Sequence, residues 1–280
     1  MAHSFNFPTQ ISFGPGMVGQ IPAYLLKHQL RRPLVVTDKQ ISELGFFKRI
    51  VNSLEQGGLS PSVFNNIHKN PIKQDVVRGN EAYNEDCDSI VGIGGGAALD
   101  VSRAIALSIN NHRDLFEYDD LTGGSELVDG AIPHFITVPT TAGTGSEVGR
   151  SAVISEDDTK KKRVLFHPSL MADHVFADPE LTYELPGDIT AATGMDAMAH
   201  HLEAFLAKGY NPMCDGIALE GLRMIWENLT KAVQDGGKEA RSEMMMASLM
   251  GAVAFQKGLG IVHSMSHPLS TVLDMHHGLA

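Results

Sequence analysis

The sequence predicts an α/β domain with a parallel sheet, followed by an all-helical domain. In the first half, short apolar runs that are typical of buried strands alternate with helical stretches. In the second half, long segments rich in Ala, Leu, Met and Glu follow a Pro-Gly-Asp break at 186–188. Alternating strands and helices indicate βαβ units, whereas consecutive helical patterns indicate helix-on-helix packing. We therefore predict an α/β domain over 1–185 and an all-helical domain over 186–280.

The individual elements are predicted from local pattern. Strands are expected where an apolar run ends in a polar or glycine-rich turn, and helices where apolar residues recur with a period near 3.6. The predicted strands cover 33–38, 89–93 and 134–139, and the predicted helices cover 46–56, 99–110, 189–207, 215–234 and 239–256.

Composition restricts the classes of partner. The 280 residues include 22 basic and 33 acidic side chains, a net charge of −11, which argues against nucleic acid or an anionic membrane as a partner. The sequence has no apolar run long enough to span a bilayer, and 1–14 lacks the pattern of a secretory signal. Cys87 and Cys214 are far apart and form no pair motif, which fits a reducing compartment. We expect a cytoplasmic protein.

A glycine-rich turn follows the second predicted strand and leads into a predicted helix. It reads Gly94-Gly95-Gly96-Ala97, with Asp100 just beyond. Glycines there let the backbone approach a pyrophosphate, and the free N–H groups of a helix N-terminus favour an anion. The pattern departs from G-x-G-x-x-G, and a tight turn is the structural alternative. Its place directly after an apolar strand favours a dinucleotide site.

Two further features fit the same kind of site. The loop 139–147 follows the third predicted strand and carries four hydroxyl side chains, among them Thr140, Thr141 and Thr144. Such hydroxyls can bind phosphate or ribose, although a polar turn with a helix cap is the alternative. Asp38 ends the first strand, where a carboxylate can bind a ribose diol and repel a 2′-phosphate, which favours NAD over NADP. A helix cap is the competing explanation for this aspartate.

Potential metal ligands are concentrated in the last third of the chain. Asp196 and His200 are four residues apart, so on a helix they share one face, and His263 and His267 repeat this spacing. His277 follows shortly afterwards. A helical aspartate among small apolar residues is costly to bury without a partner, and three imidazoles with one carboxylate form a near-tetrahedral set for Fe²⁺ or Zn²⁺. Spacing alone leaves open whether the two segments converge.

Taken together, these motifs resemble those of the iron-containing (group III) alcohol dehydrogenases. The resemblance covers essentially the whole chain, beginning at Phe5-Asn6-Phe7-Pro8 and the Phe13-Gly14-Pro15-Gly16 turn. The other matching motifs are Val36-Thr37-Asp38, Gly94-Gly95-Gly96 with Asp100, the loop 139–147, Thr193-Gly194-Met195-Asp196, Gly260-Ile261-Val262-His263, His267-Pro268 and His276-His277-Gly278. The resemblance implies a dinucleotide-binding domain joined to a helical metal-binding domain, with NAD as the cofactor and a homodimer as the assembly.

The resemblance also implies roles for individual residues. The metal ligands are then Asp196, His200, His263 and His277, and the ion is Fe²⁺, with Zn²⁺ as the alternative. His267 lies close to the substrate, where it either relays the released proton or has a structural role. The residues at positions that contact the dinucleotide are Asn70, Thr140, Thr141 and Lys162, which join Asp38, Gly95, Gly96, Ala97, Asp100 and Thr144.

The sequence departs from the family pattern in two respects. Ala97 stands where the family usually has serine, and the lost hydroxyl contact should weaken NAD binding by about 1 kcal/mol. The chain also ends shortly after His277. We therefore expect the helices that complete the family's metal-binding domain to be missing.

The predicted function is a metal- and NAD-dependent alcohol dehydrogenase that interconverts a small primary alcohol or diol and its aldehyde. A bound metal ion polarises the alcohol oxygen, and a hydride passes to the nicotinamide. On the same scaffold, a zinc polyol (glycerol-type) dehydrogenase, a maleylacetate-type reductase and a dehydroquinate-type cyclase are alternatives. An alternative of another class is a truncated, catalytically impaired dinucleotide-binding protein with bare apolar surface on 215–256.

Overall fold

The structure is a computed structural model and describes residues 7, 9–84, 86–234, 236–273 and 275–280. Phe5, Asn6 and Pro8 of the N-terminal motif lie outside the described residues. The strands are β1 Gln10–Phe13, β2 Pro33–Val36, β3 Ser62–Phe64, β4 Ser89–Gly94, β5 His134–Pro139, β6 Ser151–Ser155, β7 Lys162–Phe166 and β8 His174–Ala177. The helices are α1 Ile21–Lys27, α2 Lys39–Glu43, α3 Gly45–Gln56, α4 Lys73–Ala82, α5 Gly96–Asn110, α6 Gly187–Leu206, α7 Pro212–Gln234, α8 Lys238–Ala254 and α9 Ile261–Leu273.

Six of these strands form one parallel sheet. Their order is β1-β8-β5-β4-β2-β3, and β6 pairs with β7 in a separate antiparallel ribbon. In the middle of the sheet, Val36 lies beside Gly92, which lies beside Thr137. All residues of β2, β4 and β8 are buried, which explains their nearly continuous apolar sequences. The predicted fold class, a parallel α/β domain followed by a helical domain, is confirmed.

The chain changes direction across the sheet after β2. It passes outward to the edge strand β3 and then returns to form β4 on the other side of β2. In open α/β sheets, ligands bind outside the carboxyl ends of the two strands at such a switch point. Asp38 follows β2, and Gly95 follows β4, so two of the predicted cofactor segments lie at neighbouring strand ends.

Helix α5 packs closely on the sheet and ties it to the β6–β7 ribbon. A Cβ at Gly92 would lie 2.4 Å from Ser102 Oγ, so the glycine lets α5 approach β4. Arg103 is fully buried, and its guanidinium donates to the carbonyl oxygens of Leu170 at 3.0 Å and Ser151 at 2.9 Å. A buried guanidinium requires such partners, because an unpaired buried charge is strongly unfavourable.

Helices α6, α7 and α8 pack around a buried histidine. His201 has no exposed surface, and its Nε2 lies 2.8 Å from the carbonyl oxygen of Ala247 on α8. A Cβ at Gly221 of α7 would lie 2.0 Å from the His201 ring, and one at Gly251 of α8 would lie 3.2 Å from it. The two glycines therefore make room for the imidazole between the helices.

The described chain divides into two compact units. The α/β unit comprises 10–139 and 150–178, and the helical unit comprises 140–149 and 179–280 with the N-terminal residues before Gln10. The division that the sequence predicts at residue 185 stays a prediction. No single described helix is both long and apolar enough to cross a membrane, and one pair, 238–257 with 261–273, reaches that threshold only across a 109° bend.

Element ends differ from the predicted ones where side chains intervene. The first strand ends at Val36 rather than at Asp38, because Asp38 begins α2 as its N-cap and accepts a hydrogen bond from Ile41 N at 2.8 Å. The sequence analysis missed β1, β3 and β6 to β8, each of which has only three to five residues. Strands of that length lack enough residues to display a period.

Candidate functional site

Three imidazoles surround one carboxylate in the helical unit. The Oδ1 atom of Asp196 lies 3.7 Å from His200 Nε2, 3.6 Å from His263 Nε2 and 3.5 Å from His277 Nε2. Asp196, His200 and His263 are almost completely buried, at 7%, 4% and 6% exposure. Residues 196 and 200 share one face of α6, His263 comes from α9, and His277 begins a 3₁₀ turn at the end of the chain. Tertiary structure thus brings the two predicted segments together.

These separations fit a cation better than direct hydrogen bonds. A hydrogen bond between nitrogen and oxygen is about 2.9 Å long, which is shorter than every one of the three distances. Four ligands at about 2.1 Å from a tetrahedral ion are about 3.4 Å apart. In addition, Nε2 of His263 is buried without a hydrogen-bond partner in the described chain. The donor set, three neutral imidazole nitrogens and a carboxylate, therefore fits a divalent metal ion.

The four residues are not equally close to one another. Ligand atoms of Asp196, His263 and His277 all lie within 4.8 Å of one another, and this group does not include His200. The His200 ring instead stacks on His263 at 4.6 Å between centroids and packs against Phe255 at 5.0 Å. Three of the predicted ligands thus form a compact group, and His200 approaches it through the shared Asp196 oxygen.

Burial and opposite charge control protonation in this group. Burial lowers the pKa of His200 to about 4, against the raising effect of Asp196. Burial alone would raise the pKa of Asp196, but the neighbouring His200, His263 and His277 outweigh it and hold that pKa well below its usual range. At neutral pH, Asp196 is therefore anionic and His200 is neutral, and these are the states that a metal ligand requires.

A second carboxylate, Glu203, was missed by the sequence analysis. Its Oε2 lies 2.6 Å from His263 Nδ1, and its side chain is buried. Burial would lower the pKa of His263, but the nearby carboxylates of Asp196 and Glu203 raise it. The detectable signal was its spacing, because Glu203 is seven residues after Asp196 and so lies on the same face of α6.

His267 lies beside the group rather than in it. Its ring centroid is 5.2 Å from that of His277 and 6.0 Å from that of His263. It is on α9 one turn after His263, as the four-residue spacing predicts, and it is half-buried. Gly278 lets the end of the chain approach α6, since a Cβ there would lie 2.5 Å from Ala192 O.

In the α/β unit, Asp38 approaches the glycine turn. Gly94 has a φ of 153°, which L side chains rarely adopt, and a Cβ there would lie 2.6 Å from Ala98 Cβ and 3.9 Å from Asp38 Oδ2. The backbone at this position therefore requires glycine. Gly95 is the N-cap of α5, and Gly96 and Ala97 begin the helix, so backbone N–H groups are concentrated beside the Asp38 carboxylate.

Three other predicted cofactor residues also belong to the α/β unit. Asp100 Oδ2 accepts a hydrogen bond from Val153 N at 3.0 Å, which ties α5 to β6. Burial lowers the pKa of Lys162 on β7, and the nearby Asp100 opposes that shift. Asn70 lies in the bend before Pro71, whose carbonyl accepts from Ser155 N at 2.7 Å. All three residues are thus positioned around the β6–β7 ribbon.

The hydroxyl-rich loop belongs to the helical unit. A Cβ at Gly143 would lie 2.8 Å from Thr193 Cβ, and one at Gly145 would lie 2.3 Å from Ala252 Cβ, so these glycines let the loop pack on α6 and α8. The loop contains Thr140, whose Oγ1 is buried without a hydrogen-bond partner in the described chain, Thr141, which is half-buried, and Thr144, which accepts from Ser146 N at 3.2 Å. The orphaned Thr140 hydroxyl is available to a ligand.

Two family models match the chain. The model for iron-containing alcohol dehydrogenases covers 8–179, and the model for the C-terminal part of the same family covers 190–280. Together the two matches span more than half of the sequence.

Individual relatives agree with the family match. A 4-hydroxybutyrate dehydrogenase of Cupriavidus necator is 42% identical over 278 residues, which cover 96% of this chain and 72% of that protein. The crystal structure of a 1,3-propanediol oxidoreductase superposes with a TM-score of 0.93 at 34% identity and covers 99% of this chain and 73% of the other. The crystal structure of the sulfoacetaldehyde reductase of Bifidobacterium kashiwanohense in complex with NAD⁺ superposes with a TM-score of 0.88 at 31% identity. It covers 99% of this chain and 73% of the other.

The chain spans a little less than three quarters of the length of these relatives. The relatives support the predicted enzyme class, an oxidoreductase that uses NAD and a metal ion, and do not favour the alternatives on the same scaffold or the non-catalytic one. The chain therefore belongs to the iron-containing alcohol dehydrogenase family, and by that membership it is an alcohol dehydrogenase.

Proposed function

We propose that this chain interconverts a small primary alcohol or diol and its aldehyde at a metal centre formed by Asp196, His200, His263 and His277. The observation that carries the proposal is the convergence of three imidazole Nε2 atoms on one Asp196 oxygen at 3.5 to 3.7 Å. A divalent ion held by these residues would supply a Lewis acid that lowers the pKa of an alcohol hydroxyl group, and NAD would supply the acceptor for the hydride from the carbinol carbon.

The residues of the centre supply charge and geometry. Asp196 contributes the negative charge, and the buried imidazoles contribute neutral nitrogens, so the assembled site keeps a net positive charge toward substrate oxygen when a divalent ion is bound. His267 lies next to His277 and has a ring nitrogen that can take up the alcohol proton and pass it to solvent. We propose this proton transfer as the catalytic role of His267.

The α/β unit is proposed to bind NAD through its glycine turn. The backbone N–H groups at Gly95, Gly96 and Ala97 would hold the pyrophosphate, and the Asp38 carboxylate would accept hydrogen bonds from the adenosine ribose diol. The carboxylate at that position disfavours a 2′-phosphate, so NAD is preferred over NADP. The further residues proposed to contact the dinucleotide are Asn70, Asp100, Thr140, Thr141, Thr144 and Lys162.

The substrate class follows from the relatives. The 4-hydroxybutyrate dehydrogenase and the 1,3-propanediol oxidoreductase act, by name, on short chains that carry a terminal hydroxyl and a second polar group. We therefore propose a primary alcohol of that size for this chain. The family favours Fe²⁺ as the ion. Since three nitrogen ligands and one oxygen ligand bind Zn²⁺ more tightly than Fe²⁺, the availability of each ion in the cell decides which one is bound.

Metal analysis of anaerobically prepared full chain, combined with activity assays, tests the function. NADH formation is measured with 4-hydroxybutyrate, 1,3-propanediol and ethanol before chelation, after chelation, and after readdition of Fe²⁺ or Zn²⁺. We expect one ion per chain, loss of turnover on chelation and better recovery with Fe²⁺. Turnover that survives complete metal removal would overturn the proposed mechanism.

We also propose that the protein is a cytoplasmic homodimer. Both described cysteines are free thiols, which fits a reducing compartment. The dimer is an expectation from the family, and light scattering coupled to size-exclusion chromatography tests it. A monomeric mass across a concentration series would contradict it.

A further inference from the structure

Glu203 occupies a place that the proposed function leaves unexplained. It lies on the same face of α6 as Asp196 and His200 and is buried, with 6% exposure. Buried glutamates are rare because an ionised carboxylate loses its hydration, so they occur with hydrogen-bond donors around them. The donors around Glu203 therefore indicate what it does.

Its donors come from the start of α9 and from Gly260 just before it. The backbone N–H of Val262 donates to Oε1 at 2.6 Å, the backbone N–H of His263 donates to Oε2 at 3.4 Å, and His263 Nδ1 lies 2.6 Å from Oε2. The first N–H groups of a helix have no partner within the helix. Glu203 thus caps the N-terminus of α9 from a residue nearly sixty positions earlier in the chain.

The ring contact determines which nitrogen of His263 carries the proton. An ionised carboxylate only accepts hydrogen bonds, so the proton of a neutral His263 ring must lie on Nδ1. The Nε2 lone pair is then free, and Nε2 is the atom that lies 3.6 Å from Asp196 Oδ1. The two carboxylates on α6 thus lie near opposite nitrogens of one imidazole, Glu203 near Nδ1 and Asp196 near Nε2 of His263.

Gly260 allows this arrangement. A Cβ at that position would lie 2.9 Å from Glu203 Oε1, which is closer than an ordinary van der Waals contact. A side chain at Gly260 would therefore displace the carboxylate from the start of α9. This glycine precedes His263 in the same motif, so the motif itself carries both the histidine and the room for its partner.

We propose that Glu203 is a positioning residue: by capping α9 and holding the proton on His263 Nδ1, it presents His263 Nε2 to the metal ion and strengthens cation binding. The proposal rests on the metal centre proposed above. Carboxylate partners of this kind raise the basicity of the ligating imidazole, and their loss typically weakens metal binding by about 10- to 100-fold.

The test combines Glu203→Gln with a measurement on the unaltered chain. Zn²⁺ affinity is measured on the metal-free full chain by competition with a chromophoric chelator, and the histidine tautomers are read from nitrogen–proton correlation spectra. We expect Zn²⁺ affinity to fall by about 10- to 100-fold in Glu203→Gln. The matched control is Glu227→Gln, an exposed glutamate on α7, which should keep the original affinity.

A second variant guards against a folding artefact. Gly260→Ala keeps Glu203 but displaces its carboxylate from the start of α9, so it should also weaken Zn²⁺ binding. In the unaltered metal-free chain, the spectra should show the His263 proton on Nδ1. A proton on Nε2, or equal Zn²⁺ affinity in folded Glu203→Gln and the unaltered chain, would overturn the role of Glu203 while the metal centre stands. An unaltered chain that binds no Zn²⁺ would instead overturn the metal centre and the proposal with it.

Discussion

Among the described residues, two groups of three histidines can be compared, and one of them has the geometry of a metal site. In the helical unit, the imidazoles of residues 200, 263 and 277 converge on Asp196. In the α/β unit, His28, His134 and His174 pack around Tyr24, with ring centroids 4.5 to 5.7 Å from the tyrosine ring. We call the second group the Tyr24 cluster.

The two clusters differ in where their ring nitrogens point. In the Tyr24 cluster, Nε2 of His174 lies 2.8 Å from Ser12 Oγ, and Nε2 of His134 lies 3.1 Å from the Tyr24 hydroxyl. Those lone pairs or protons are used in separate hydrogen bonds. The Asp173 carboxylate is at the edge, 3.5 Å from His134 Nδ1. Three neighbouring histidines are therefore not enough to indicate a metal site. The indication comes from ring nitrogens that converge on one buried carboxylate.

Electrostatics follow the same division. Burial lowers the pKa of His134 and of His174, and nearby histidines lower both further, although Asp173 opposes the shift of His134. In the helical unit, burial also lowers the pKa of His200, but the carboxylates around His263 raise the pKa of that residue despite burial. The Tyr24 cluster is thus built to stay neutral by itself, and the Asp196 group is built around an anion that attracts positive charge.

The largest effect is expected from removing the Asp196 carboxylate, on which the three imidazoles converge. Asp196→Ala should abolish measurable metal retention and lower NAD-linked turnover by more than about 100-fold, beyond the loss typical of outer partners. The matched control is Asp173→Ala, which removes the carboxylate beside the Tyr24 cluster and should change neither quantity. Metal content by elemental analysis and NADH formation are the measurements. Retained metal in Asp196→Ala would mean that the three imidazoles suffice.

A second test separates His201, the buried neighbour of His200, from the metal group. Gly221→Ala places a Cβ 2.0 Å from the His201 ring and should lower the free energy of unfolding by about 1–3 kcal/mol. Gly216→Ala on the same helix meets nothing within 4 Å and should be neutral or slightly stabilising. Urea denaturation followed by circular dichroism measures both. Equal stabilities would show that α7 shifts to accommodate the new methyl group.

A third test changes the α/β unit alone. Asp38→Ser keeps a good N-cap for α2 but removes the charge, so the preference for NAD⁺ over NADP⁺ should fall by about fivefold, the effect of roughly 1 kcal/mol of repulsion between solvated charges. The quantity to measure is the ratio of kcat/KM for the two cofactors. Asp114→Ser, another capping aspartate in the same unit, should leave the ratio unchanged. An unaltered ratio in Asp38→Ser would exclude the ribose role.

The smallest expected effect concerns pH. Because the pKa of His134 is lower in the folded chain than its ordinary value, the unfolded chain takes up a proton first as pH falls through that range, and the free energy of unfolding decreases. His134→Gln should make this decrease less steep. Denaturation at several pH values measures the slope, with the exposed His112→Gln as the control. An unchanged slope would mean that His134 titrates alike in both states.

Part of the fold and of the candidate site could be predicted from the sequence, because the patterns that indicate them lie within single strands or helices. The parallel sheet was predictable from buried strands such as β4, since burial on both faces leaves a continuous apolar run. The four-residue spacing of Asp196 and His200 was likewise readable, because helix geometry alone puts them on one face. The short strands were not predicted, since three to five residues are too few to display a period. Glu203 was missed although its seven-residue spacing from Asp196 places it on the same helix face.

By itself the sequence determined the fold class, the family and the identity of the candidate ligands, because these depend on the order and type of residues. Tertiary structure decided which histidines meet. His200 and His201 are adjacent in sequence, yet the helix turns one toward Asp196 and the other toward Ala247 O. It also joined α6 to α9 through Glu203 and His263, which are sixty residues apart, because only packing brings distant side chains within hydrogen-bond distance.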